Sequence, residues 1–200
     1  VMKRLTALLV VLMLVTGLAV GAMAAKVKFA KMEDYGQNVG NGTWDDLKGI
    51  WVPGTATENW LCSHKQYKNF ILEFDATTQG RTLILVRSTI NDVPYYFGAG
   101  IDMVSPTDIR LRRWTEGVWQ PSFNTNAQVL TSFVWGDSIH FKVTVKGDLA
   151  RFEITDENKD LIIDEELELD EFKDAGYIWI RSLSTTSDTI IENLTIEELN

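Results

Sequence analysis

The chain has 200 residues, 45% of them hydrophobic, and carries 28 acidic against 19 basic side chains for a formal charge of -9. That much apolar material excludes a chain disordered throughout and suffices for one real core. An acidic balance with no dense basic cluster excludes a nucleic-acid surface and disfavours anionic lipid, leaving neutral ligands or cations as partners.

Val1-Met2-Lys3-Arg4 precedes an uncharged run from Leu5 to Ala25, rich in Leu, Val, Met and Ala, with Ala22-Met23-Ala24 near its end. A basic start, an apolar middle and a small-x-small site read as a secretory signal peptide over residues 1–25. The competing reading is an uncleaved anchor, because the run approaches the roughly 20 residues that span a bilayer. The expectation is a secreted, periplasmic or extracellular protein, off the membrane once processed, with residues 26–200 as a single domain. Losing Lys3 and Arg4 with the leader takes the formal charge from -9 to -11. Cys62 is the only cysteine, so no intramolecular disulfide forms and the core must suffice. Asn41-Gly42-Thr43 and Asn193-Leu194-Thr195 match the glycosylation acceptor pattern.

From Lys26 onward the pattern is short strands and turns. Phe70, Leu72, Phe74 and Ala76 alternate with Ile71, Glu73 and Asp75. After the turn Thr77-Thr78-Gln79-Gly80, strands are predicted over Thr82 to Ser88 and Tyr95 to Val104. Ser105-Pro106-Thr107-Asp108 turns the chain into Ile109 to Trp114, and Glu116-Gly117 turns it again. Ile139, Phe141, Val143 and Val145 alternate with His140, Lys142, Thr144 and Lys146, and Gly147-Asp148 closes a hairpin with Leu149 to Thr155. Leu161-Ile162-Ile163, Gly176 to Ser182 and Thr189 to Leu199 complete about ten strands, with one turn of helix expected over Leu167 to Phe172. This pattern predicts an all-β, two-sheet antiparallel jelly-roll sandwich.

Glu73 and Asp75 are two residues apart and share a strand face, where carboxylates can serve glycoside chemistry or accept hydrogen bonds from hydroxyls. The bland alternative is a solvated strand face. Arg110 and Arg112 share a side with Trp114, opposite Ile109 and Leu111, whereas Arg87 shares parity with Leu83 and Leu85. Arginines of this kind pair with carboxylates or grip an acidic sugar. Tyr177, Trp179 and Arg181 lie opposite Ile178 and Ile180, an aromatic and charged mixture suited to sugar rings. The seven tryptophans are many for the length, but Trp44, Trp51 and Trp135 read as core or edge packing. Asp156 to Asp174 holds ten acidic and two basic residues. Counting from Asp156 puts Leu161 and Leu167 where a calcium loop needs Gly and Glu, so a solubilising surface is expected there. His64 and His140 belong to no metal-spaced cluster.

Gly49 to Gly54, Trp60-Leu61, Tyr67 to Phe74, Leu85-Val86-Arg87, Tyr95-Tyr96, Val143 to Gly147 and Gly176 to Arg181 together resemble the concanavalin A-like lectin/glucanase superfamily. More narrowly, they resemble its laminin-G-like and secreted keto-disaccharide-hydrolase-like domains, over about residues 28–199. The resemblance implies one convex and one concave sheet, with ligand on the concave face. It also implies a structural calcium in many members. Retaining glucanases of this fold carry Glu-x-Asp-x-x-Glu; Glu73-Phe74-Asp75-Ala76-Thr77-Thr78 begins that way but ends in Thr78.

The leading expectation is a carbohydrate-binding domain for an oligo- or polysaccharide, its ligand on a face carrying Glu73, Asp75, Arg87, Arg110, Arg112, Tyr177, Trp179 and Arg181. A sugar-cleaving enzyme on the same face and a structural or adhesive envelope domain are the alternatives. The first requires a carboxylate partner for Glu73 or Asp75, and the second a filled concave face.

Overall fold

The computed structural model describes residues 29–31, 43–45, 50–52, 59–63, 65–77, 80–89, 98–115, 118–119, 125–126, 133–183 and 190–200. The leader, the Asn41 acceptor site, His64 and the turn at Glu116-Gly117 lie outside them. With strands numbered in chain order, one sheet runs β1 (Phe29–Lys31), β4 (Asn59–Ser63), β14 (Tyr177–Leu183), β6 (Arg81–Ser88), β7 (Gly98–Ser105), β8 (Asp108–Thr115) and β10 (Thr125–Asn126). An eighth strand, β9 (Val118–Trp119), also pairs with β8. The other sheet runs β13 (Leu161–Glu168), β12 (Leu149–Thr155), β11 (Ser138–Lys146), β5 (Phe70–Thr77), β15 (Ile190–Glu198), β3 (Ile50–Val52) and β2 (Thr43–Asp45). Every pairing is antiparallel.

Alternation decides which side chains meet between the sheets. In β5 and β11 the even and odd positions separate into buried and half-buried sets, as a strand with one wet face requires. Phe74 and Phe141, opposite one another in the ladder, stack with centroids 4.8 Å apart. They join Phe70, Leu72, Val143 and Phe152 of the seven-stranded sheet against Leu61, Ile84, Val86, Ile101, Ile178 and Ile180 of the eight-stranded one. The β11–β12 hairpin turns at Gly147-Asp148 as the sequence predicts.

The expected helical turn over Leu167 to Phe172 is not formed. Leu167 and Glu168 instead finish β13, paired with Ala150 and Leu149, and a tight turn at Asp170-Glu171 follows. Leu167, Leu169 and Phe172 are all buried in the inter-sheet core. The ladder hydrogen bonds of β12 therefore prevail over a helical spacing too short to propagate by itself.

Among the described residues, two arginines cross between the sheets. Arg113 of β8 donates to the Glu168 carbonyl at the end of β13. Arg87 of β6 occupies a bulge, where Trp179 pairs with Leu85 but Tyr177 pairs with Ser88, and its φ is +48°. The extra residue breaks its parity with Leu83 and Leu85 and aims the side chain at the other sheet. There its guanidinium donates to the carbonyls of Lys68, Phe172 and Gly147 and to Asn69 Oδ1. Gly176 permits this, since a Cβ there would stand 2.3 Å from the Arg87 carbonyl carbon.

Candidate functional site on the eight-stranded sheet

The eight-stranded sheet has a second buried layer on its outer side. Trp60, Cys62, Leu83, Leu85, Trp114 and Trp179 form a cluster separate from the inter-sheet core, with Tyr177 packed against it. The ladder sets them in rows. One row crosses the strands as Trp60, Arg181, Leu83, Asp102 and Arg110. The next runs Cys62, Trp179, Leu85, Gly100 and Arg112. Because successive strands lie about 4.8 Å apart, each row is a strip of alternating aromatic, aliphatic and charged groups. Trp60 and Trp179 meet edge to face at 5.7 Å, and the Arg181 guanidinium lies 4.9 Å from the Trp60 ring centre.

Asp102 anchors the charged end. It is wholly buried, and Arg81 clamps it through Nε at 2.8 Å and Nη2 at 2.6 Å. Arg112 Nε stands 3.0 Å from the same carboxylate. Hydrogen bonding to Asp102 holds the Arg81 guanidinium above its usual range. Burial acts the other way on Arg112, disfavouring its charge, and Asp102 offsets part of that cost. Arg110 is a rim residue that grips Asp108 two positions earlier, which stabilises its charge.

The eight residues expected to share a site are divided by the fold. Arg110, Arg112, Tyr177, Trp179 and Arg181 are together on this sheet. Glu73 and Asp75 are on β5, in the seven-stranded sheet, opposite Lys142 and His140. Their strand alternates as expected, but the wet side of β5 is the far side of the sandwich. Arg87 is the inter-sheet tie described above, 3% exposed, so its placement with the ligand face is corrected. Arg81 and Asp102 were missed. The signal was present in Gly98-x-Gly100-x-Asp102, a polar parity opposite the buried Ala99, Ile101 and Met103.

The carboxylates Asp102 and Asp108 are both engaged by arginines. The seven-stranded sheet's outer side is an ion-pair surface, with Arg151 bonded to Asp164 at 2.6 Å and near Glu153 at 3.6 Å. Among the described residues, no group of three or more His, Cys, Asp or Glu side chains is placed to hold a metal ion. The calcium implied by the resemblance finds no cage among them.

Fold and layering define an all-β, two-sheet antiparallel sandwich consistent with the concanavalin A-like jelly roll. The carbohydrate-binding module CBM66 of Bacillus subtilis has a similar structure, with a TM-score of 0.59 and 16% identity over 88% of this chain and 99% of that one. A β-glucanase of Bacillus licheniformis gives 0.54 and 11% over 90% and 95%. The exoplasmic/lumenal domain of VIP36, in a form bound to Ca2+ and Man3GlcNAc, gives 0.54 and 12% over 86% and 85%. No protein-family model matches the chain, and no curated protein sequence matches it either.

Proposed function

We propose that this protein is an exported carbohydrate-binding domain that takes an oligo- or polysaccharide along the outer margin of the eight-stranded sheet. The observation that carries this reading is the row Trp60–Arg181–Leu83–Asp102–Arg110, with Tyr177 beside it. Half-exposed Tyr177, Arg181, Arg81 and Arg110 offer a ring edge and oriented N–H donors, the pairing that sugar C–H faces and hydroxyls require. The buried tryptophans behind them stiffen that margin. Its fold neighbours, described as a carbohydrate-binding module, a glucanase and a glycan-bound luminal domain, support the same ligand class.

Binding is favoured over cleavage because Asp102 and Asp108 already serve arginines, whereas glycoside hydrolysis needs two carboxylates across the scissile bond. A structural or adhesive role is the second reading. It is favoured by the filled centre of the face, where Trp60, Leu83, Leu85, Trp114 and Trp179 are at most 4% exposed.

Glycan-array binding by the exported protein, with calcium and with chelator, separates these. Saturable binding to one glycan class is expected, weakened about tenfold or more in Arg181→Ala through loss of a charged donor. A folded protein that binds nothing on the array would move the assignment to the structural role.

A further inference from the structure

The opposite sheet carries a cleft that the eight-stranded face does not use. It has a volume of about 520 Å³ and lies where the outer side of β5, β11 and β12 meets the loop after β12. Asp75, Ser138, His140, Thr155, Asp156 and Lys159 contribute to its walls. The volume is within the usual 300–1,000 Å³ of small-ligand sites.

Both principal carboxylates are held in place. Asp75 accepts from His140 Nδ1 at 2.8 Å and from Asn193 Nδ2 at 2.7 Å, so neighbouring strands on either side fix its two oxygens. Asp156 Oδ1 accepts the backbone N–H groups of Asn158 at 2.9 Å and Asp160 at 2.8 Å. A carboxylate oxygen has two lone pairs, so these bonds orient the groups and still leave acceptor capacity. Donors stand among them, the Ser138 and Thr155 hydroxyls and the Lys159 ammonium, and with Nδ1 donating to Asp75 the second ring nitrogen of the neutral His140 imidazole is a further acceptor. Lys159, which lines the cleft at φ +69°, and Asn193, which holds Asp75 from a bulge of β15 at φ +55°, are left-handed non-glycine residues.

We propose that this cleft is a second ligand site, for a neutral polyhydroxylated molecule of mono- to disaccharide size. A sugar hydroxyl donates one hydrogen bond and accepts others, which matches a wall of alternating acceptors and donors. An anionic ligand would face Asp75 and Asp156 within a chain of formal charge -9. A cation would meet the Lys159 ammonium beside Asp75, Asp156 and Glu157, and titration with spermidine distinguishes that case. The site is on the opposite sheet from the proposed glycan margin, and its occupancy does not depend on that margin. If both are filled, one domain links two glycan segments.

The test is a titration of the 15N-labelled protein with glucose, galactose, mannose and fructose in turn, following backbone amide shifts. At least one sugar should shift the amides of Asp75, His140, Thr155 and Asp156 saturably, with a dissociation constant on the order of 1–10 mM for a site lacking an aromatic platform. Asp75→Asn, nearly isosteric, should weaken that binding about tenfold, as loss of a charged acceptor does. Arg181→Ala acts on the other sheet and should leave the cleft shifts in place even where it removes array binding. The proposal is overturned if no sugar shifts these amides in the folded protein or if Asp75→Asn binds as tightly. Saturable shifts with spermidine alone would also overturn it, as the mark of a cation site.

Discussion

An indole as enclosed as that of Trp179 serves the fold before it serves any ligand. Trp179→Ala removes a side chain with no exposed surface that sits edge to face on Trp60, and the expected cost is about 3–5 kcal/mol. Urea unfolding should show it as a lowered midpoint with the slope unchanged. Tyr67 is a different case. Its hydroxyl is buried and has no hydrogen-bond partner among the described residues, and burial, helped by Glu198, pushes its pKa up to about 12. A folded value raised above 10 means stability present below pH 10 and lost progressively as pH rises toward 12. Tyr67→Phe should therefore be neutral or stabilising at pH 7, and its stability should fall less between pH 10 and 12 than that of the parent protein. At this scale the sequence was informative about faces. Trp179 with Tyr177 and Arg181, opposite Ile178 and Ile180, was legible from alternation alone. That Trp179 would be enclosed was not, because a strand pattern does not reveal what lies over its outer side.

Strands were more legible than their pairings. The β11–β12 hairpin, with its alternation and Gly-Asp turn, was readable almost to the residue, and β5 likewise. Arg87 and Asn193 were not readable as bulge residues, since neither is a glycine and both adopt positive φ under tertiary constraint. One bulge sufficed to take Arg87 from the face its parity indicated. Gly100 offers a sharper test of the eight-stranded sheet, because a Cβ there would overlap the Ile84 carbonyl oxygen of β6 at 1.8 Å. Gly100→Ala should push β6 and β7 apart, at a cost well above the roughly 0.5–1 kcal/mol by which alanine ordinarily stabilises a strand over glycine. Thermal unfolding of the variant measures this. A melting temperature equal to or above that of the parent protein would mean that the two backbones are not so close.

Over the whole molecule, the sheet to which a strand belongs decides what its polar side can do. Glu73-x-Asp75 and Tyr177-x-Trp179-x-Arg181 have the same two-residue spacing, yet β5 and β14 are in opposite sheets. Strand order is set by non-local pairing, and no local pattern carries it. The jelly-roll class was legible, while the division of the site into two sides of the sandwich was not. The acidic surface has its own pH dependence. Arg151 holds Asp164 below the usual carboxylate range through a hydrogen bond, so what that pair contributes is present at neutral pH and lost as pH falls through the depressed value.

Arg87 ties together segments that are 18 to 85 positions from it in sequence, and all of its side-chain partners depend on the other sheet and the β14 approach being in place. Such a tie closes only when chain collapse and strand pairing are nearly complete, so it belongs to the late side of the folding barrier. Arg87→Met should lower stability on the order of 3 kcal/mol by leaving buried carbonyls unmatched. That loss should emerge almost wholly as faster escape from the native state, about a hundredfold, with the refolding arm of the chevron unmoved. The bulge would then act as a kinetic latch, governing how long the folded molecule lasts more than how quickly it forms.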